Sequence, residues 1–85
     1  MKLRVLITPK PGVLDPEGRA VQRALGELGY PEVQEVHTGK LITLELDERD
    51  ARRAHDRVVE MCEKLLANPV IERYEILMLP EAESG

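Results

Sequence analysis

Foremost among the groups in this 85-residue chain that could attack a carbon or move a proton near neutral pH are one thiol, two imidazoles and sixteen carboxylates. A nucleophilic thiol needs partial exposure and a pKa lowered by a nearby cation or a helix N-terminus. Cys62 has the wrong spacing for that, because it shares an apolar stripe with Val58 and Leu65. It reads as a core cysteine, the common fate of a free thiol. His37 and His55 have no Cys or His companions at metal-ligand spacing. His55 falls at the rim of a helical stripe and His37 beside a turn, which gives both surface roles. Asp15 is placed to cap a helix, and Asp50 and Asp56 fall on a solvated helix face. A carboxylate pair with a raised pKa would need burial, which these contexts do not supply.

Phosphate chemistry fares no better. Gly12, Gly18 and Gly39 match neither G-x-x-x-x-G-K-[ST] nor G-x-G-x-x-G. Gly39-Lys40 is followed by Leu41 and leads into a strand rather than a helix. It reads as turn chemistry, with a lysine left free to meet a partner or an anion. The residues therefore predict no catalytic group, no cofactor site and no metal site.

The elements that would position these groups are legible from periodicity. Leu3, Val5 and Ile7 alternate with Arg4, Leu6 and Thr8, which predicts a strand with one face in a core. Pro9 and Pro11 stop it. Asp15 as N-cap, Pro16 at the first helical position and Glu17 in the first turn start a helix. Val21, Ala24, Leu25 and Leu28 form its apolar stripe, Gly29 suits a left-handed cap, and Pro31 forbids continuation. Residues 11–18 pin this helix start more firmly than a surface helix needs.

Residues 32–37 predict a weaker strand, with Val33 and Val36 breaking strict alternation as at a bulge or an edge. Thr38-Gly39-Lys40 predicts a tight hairpin turn with Gly39 at positive φ, and residues 41–46 a further strand. A second helix is expected over about 49–67. Its buried stripe is Ala51, Ala54, Val58, Met61, Cys62, Leu65 and Leu66, and its wet side carries the pairs Glu48/Arg52 and Glu60/Lys64. Asn68-Pro69 ends it, and residues 70–79 predict the last strand.

The order β-α-β-β-α-β predicts an α+β domain, a ferredoxin-like two-layer sandwich with two helices on one face of an antiparallel sheet. Residues 1–80 form one domain and 81–85 a flexible tail. The opposite sheet face would carry Leu6, Leu41, Thr43, Leu77 and Leu79, too apolar for water and therefore expected at an interface.

Composition narrows the setting. A net charge of −4, no Phe or Trp and only two Tyr argue against a nucleic-acid partner. No Lys/Arg run and no long apolar run points to a membrane, and no signal peptide is read at the start. A lone cysteine fits the cytoplasm.

Two segments go further. Val13-Leu14-Asp15-Pro16-Glu17-Gly18 with Ala20-Val21-Gln22 and Leu28-Gly29-Tyr30 resembles the first half of the PurS family, the small subunit of phosphoribosylformylglycinamidine synthase. Gly39-Lys40 matches as well, and the run from Met61 through Asn68-Pro69 to Tyr74 resembles the family's C-terminal signature. The resemblance implies a PurS-like dimer and a non-catalytic role in de novo purine biosynthesis. It implies partnership with a glutaminase subunit and a large ATP-dependent synthetase subunit, whose ammonia transfer this chain would assist. The chain itself would hold no cofactor, while the complex uses ATP and magnesium. Asp15, Gly18, Gly39, Lys40 and Asn68 match family motif positions and are candidates for partner interfaces. His37 stands where the family often has Arg. An ACT-like regulatory domain that binds a small molecule is the alternative with the same element order.

Overall fold

The computed structural model describes residues 1–79; the tail expected at 81–85 lies outside them. The elements are β1 (Lys2–Pro9), α1 (Pro16–Glu27), β2 (Lys40–Glu45), α2 (Ala51–Met61) with a π-helical turn at Cys62–Leu66, and β3 (Glu72–Leu79). The chain is thus α+β, with a three-stranded antiparallel sheet of order β2-β1-β3 and two helices.

Register follows the alternation. Leu3 lies between Leu44 and Met78, and Val5 between Ile42 and Ile76. Pairing of Leu3, Val5 and Ile7 with these residues puts the apolar set of all three strands on one face. α2 covers that face. Its Asp50 side chain accepts from the Arg53 N–H at 3.0 Å, so Asp50 is the N-cap rather than a residue of the solvated face. Leu3, Val5, Ile7, Ala54, Val58, Cys62 and Ala67 make the core. Each large aliphatic side chain among them contributes about 1.5–3 kcal/mol on burial.

The wet side of α2 is not laced as its sequence predicts. Glu48 accepts from the backbone N–H groups of Arg49 and Asp50, and the ion pair on the helix is Arg57–Glu60 at 3.2 Å, three residues apart rather than four. Capping claims Glu48 because unpaired N–H groups at a helix start need an acceptor. The π turn also shifts the expected stripe. The Ala67 N–H donates to the Cys62 carbonyl, five residues back, and the extra residue turns Leu65 out to 83% exposure while Leu66 stays half-buried and Ala67 is buried. The last strand begins at Glu72 because residues 68–71 form a turn, with Asn68 Oδ1 accepting from the Val70 N–H.

Three departures concern the middle of the chain. Residues 32–37, expected as a strand, join no ladder; Glu32 belongs to a turn in which the Val33 N–H donates to the Tyr30 carbonyl. Gly39 does not take positive φ; only Gly12 (+83°) and Gly29 (+102°) do among the described glycines, and no turn forms at 38–40. Lastly, α1 does not pack on the sheet of its own chain: Gly18 is its one buried residue, and Val21 is 40% exposed. Of the two helices expected to cover the sheet, α2 alone does so here. The segment therefore extends as an arm, and the principal extents are 48 × 31 × 14 Å.

Candidate functional site

The arm joins the sheet through a narrow neck, and the neck gathers three of the five motif positions. Asp15 ends the loop after β1. Its Oδ1 accepts from the Gly18 N–H at 2.9 Å, capping α1 as its sequence predicts. Its Oδ2 accepts from the Thr38 N–H at 2.7 Å, and the Thr38 hydroxyl reaches both oxygens at 3.0 and 3.1 Å. One carboxylate thus ties the outgoing chain to the returning chain. The N–H donors at Thr38 and then Gly18 hold the Asp15 carboxyl below its ordinary 3.8, with His37 adding a smaller pull.

The two glycines are close-approach positions. A Cβ on Gly18 would lie 2.3 Å from the Val36 carbonyl oxygen, and one on Gly39 would lie 2.4 Å from that of Ile7. Gly39 is required by contact with β1, not by a turn. The signal for this was present, since a Gly next to a strand end marks either a turn or a close backbone approach.

Lys40 and Asn68 complete the surroundings. Lys40 is exposed and lines an open cleft with Asp15, Glu17, Thr38, Ile71 and Glu72. Asn68 does not line that cleft. It organises the turn into β3: its carbonyl accepts from Ile71 and Glu72 N–H groups, and its own N–H donates to Glu72 Oε1 at 2.7 Å. Lys10, which the sequence did not single out, clasps the same turn. Its Nζ donates to the Pro69 carbonyl at 2.6 Å and its N–H to Ile71 at 2.9 Å. The strand-to-strand crossing that brings Lys10 to Pro69 is long-range, so no local pattern marks it.

The remaining titratable groups sit apart from the neck cleft or on its outer rim. Cys62 is fully buried, and desolvation followed by Glu63 raises its thiol above 9.0. Glu63 also raises the Tyr74 phenol. His37 lies 3.1 Å from Glu35 and His55 3.6 Å from Asp56, all with well-exposed side chains. Among the described residues no group of three or more His, Cys, Asp or Glu side chains converges as a metal-ligand set.

The sheet face turned away from α2 carries Leu6, Leu41, Thr43, Leu77 and Leu79 as expected, together with Arg4, Arg73 and Glu75. Leu41 is 57% and Leu77 37% exposed, and Leu6 pairs with Leu41 on the same face. Arg4 sits between Thr43 and Leu77, its Nε stripped of water and without an acceptor. A buried donor without a partner is costly unless another molecule supplies the acceptor.

Fold, neck and sheet face define a small α+β domain that leaves apolar side chains of α1 and of the sheet uncovered by its own chain. Residues 2–80 match the family model of PurS, phosphoribosylformylglycinamidine (FGAM) synthase. The chain is 51% identical over 75 residues to the PurS subunit of Methanocaldococcus jannaschii, covering 88% of this chain and 90% of that one. It is 51% identical over 77 residues to the PurS subunit of Bacillus subtilis, with the same shares. Its structure is similar to a chain of PurLQS from Thermotoga maritima, with a TM-score of 0.83, 35% identity, and 92% and 95% of the two chains covered. The chain belongs to the PurS family. No finding favours the ACT-like regulatory alternative.

Proposed function

We infer that this chain is the small, non-catalytic subunit of a phosphoribosylformylglycinamidine synthase complex in purine biosynthesis. The observation that carries this is the PurS match along nearly the whole chain. The chain associates with itself and bridges a glutaminase subunit and an ATP-dependent synthetase subunit. The similarity to a PurLQS chain supports that placement.

The chemistry asks for such a subunit. Ammonia released in water near neutral pH is mostly protonated, and ammonium has no lone pair with which to attack. A closed path between glutaminase and synthetase excludes water and preserves the nucleophile. A rigid chain that fixes the geometry of two larger partners helps form that path without touching a reacting atom. ATP and magnesium belong to the synthetase in this proposal. Among the described residues no helix is long and apolar enough to cross a membrane, and the proposed pathway places the chain in the cytoplasm.

Reconstitution tests the proposal. Glutamine-dependent synthesis is measured with purified glutaminase and synthetase subunits, with and without this chain. Synthesis should depend on its addition; full synthesis in its absence overturns the proposal.

A further inference from the structure

The alternation of β1 sets one guanidinium among leucines. β1 is the central strand, and its Leu3, Val5 and Ile7 enter the core beneath α2, so Arg4 lies on the opposite face of the sheet. It stands between Thr43 of β2 and Leu77 of β3, with Leu6 next on the same face of β1. Its Nε is buried and has no hydrogen-bond partner, and no other buried side-chain nitrogen or oxygen among the described residues is left so.

The chain has the means to pair this donor and does not use them. Glu45 and Glu75 share the face, each one step diagonal to Arg4 across its ladder. Both are exposed, and neither forms an ion pair with Arg4 among the described residues. Folded chains leave few buried donors unpaired. A strand position between Thr and Leu holds Val, Ile or Thr at no such cost. The orphaned donor points to an acceptor from outside the chain.

Its surroundings say what carries that acceptor. A guanidinium pairs best with a carboxylate or a phosphate, through two parallel hydrogen bonds. Leu41, 57% exposed, and Leu77, 37% exposed, flank it. A small anion gains nothing from the leucines, and Glu45 and Glu75 repel one that bears several charges. A protein surface with a single carboxylate in an apolar patch satisfies both. A second copy of this chain fits poorly. Arg4 sits on the central strand, so a two-fold axis through the face sets one Arg4 against the other, and like charges in a desolvated contact are costly.

We propose that the sheet face turned away from α2 seats a larger subunit of the synthase, and that Arg4 selects it by taking a carboxylate set in an otherwise apolar patch of that subunit. This rests on the complex membership proposed above and names the surface and the residue that serve it. Leu41 and Leu77 supply burial, while Arg4 supplies register, since a bidentate pair tolerates little displacement. The donor that destabilises the free chain then favours the complex, because docking brings the missing acceptor.

Arg4→Leu and Arg4→Lys test this against the wild type by urea unfolding, by light scattering of the chain alone, and by calorimetric titration with the purified glutaminase and synthetase subunits. Arg4→Leu should unfold at the same or a higher urea concentration and keep the wild-type mass. It should bind the larger subunits at least about tenfold more weakly, or about 1.4 kcal/mol. Arg4→Lys keeps the charge but not the planar fork and should lose about three- to tenfold. Unchanged binding by Arg4→Leu overturns the proposal. So does a urea midpoint lowered in step with binding, which makes Arg4 structural, and so does lost self-association with binding intact, which gives the face to a second copy. A wild-type chain that binds neither subunit overturns the proposed function itself. Thr43→Cys carrying a bulky maleimide repeats the test with Arg4 intact, buried Cys62 staying unlabelled: blocked assembly is expected, and full assembly rejects this face.

Discussion

The Asp15 carboxylate accepts from the Thr38 backbone N–H at 2.7 Å, and through that bond the residue that starts α1 also fixes the segment entering β2. Two crossings of the chain, 23 residues apart, share one anchor. Asp15→Ala removes the helix cap and leaves the Thr38 N–H without its acceptor. The expected result is a lower urea midpoint, with a clearly smaller loss for Asp15→Asn, which keeps one acceptor oxygen. Equal losses in the two variants would show that the one oxygen kept by Asn contributes nothing.

The same carboxylate sets a pH dependence. Its folded pKa is depressed below 3.8. Its contribution is therefore present above the unfolded value and lost as pH falls through the folded one, because the unfolded chain takes up the proton first. The stability difference between the wild type and Asp15→Asn should be constant from about pH 7 to about pH 5 and shrink below about pH 4. Urea titrations across that range check it; a difference that does not begin to shrink as pH falls below about 4 would refute the assignment.

Glycine replacements separate contact from conformation. Gly18→Ala and Gly39→Ala drive a methyl into a backbone carbonyl, and each should cost about 1–3 kcal/mol. Gly29→Ala forces a side chain into the left-handed region at φ +102°, for about 1–2 kcal/mol. Gly26→Ala meets open space inside α1 and should stabilise by about 0.5–1 kcal/mol. Denaturant unfolding of the four variants gives the ranking; a neutral Gly39→Ala would contradict the close approach to Ile7.

Cys62 should be silent toward thiol reagents in the folded protein, reacting only as the chain opens. Its raised pKa has a definite sign. Above 9.0, the ordinary thiol value, the unfolded chain loses its proton while the folded chain keeps it, so this group costs stability as pH rises from there. Cys62→Ser leaves a hydroxyl in an apolar site, at about 1–3 kcal/mol. Rapid labelling of native protein at neutral pH would contradict the burial.

Lys40 lines the neck cleft without a partner from its own chain among the hydrogen bonds and ion pairs described here. Lys40→Glu should leave the urea midpoint nearly unchanged, since exposed substitutions usually stay within about 0.5 kcal/mol. It should weaken assembly with the two larger subunits by about fivefold, or about 1 kcal/mol. Titration calorimetry or sedimentation of the mixed subunits reads the change; unaltered assembly would confine Lys40 to the neck.

The amino-acid sequence alone determined the elements and their faces. Leu3, Val5 and Ile7 had to share a side, Asp15 had to start α1, and Gly29 had to end it, because periodicity and capping are local properties of a few consecutive residues. Only the tertiary structure decided where those elements go. Gly39 reads as a turn glycine until the Ile7 carbonyl is found against it, and α1 reads as a cover for its own sheet until its stripe is found exposed. The path of the backbone past Thr38 and Gly39 is set by long-range contacts with Asp15 and Ile7 that no neighbouring residue encodes.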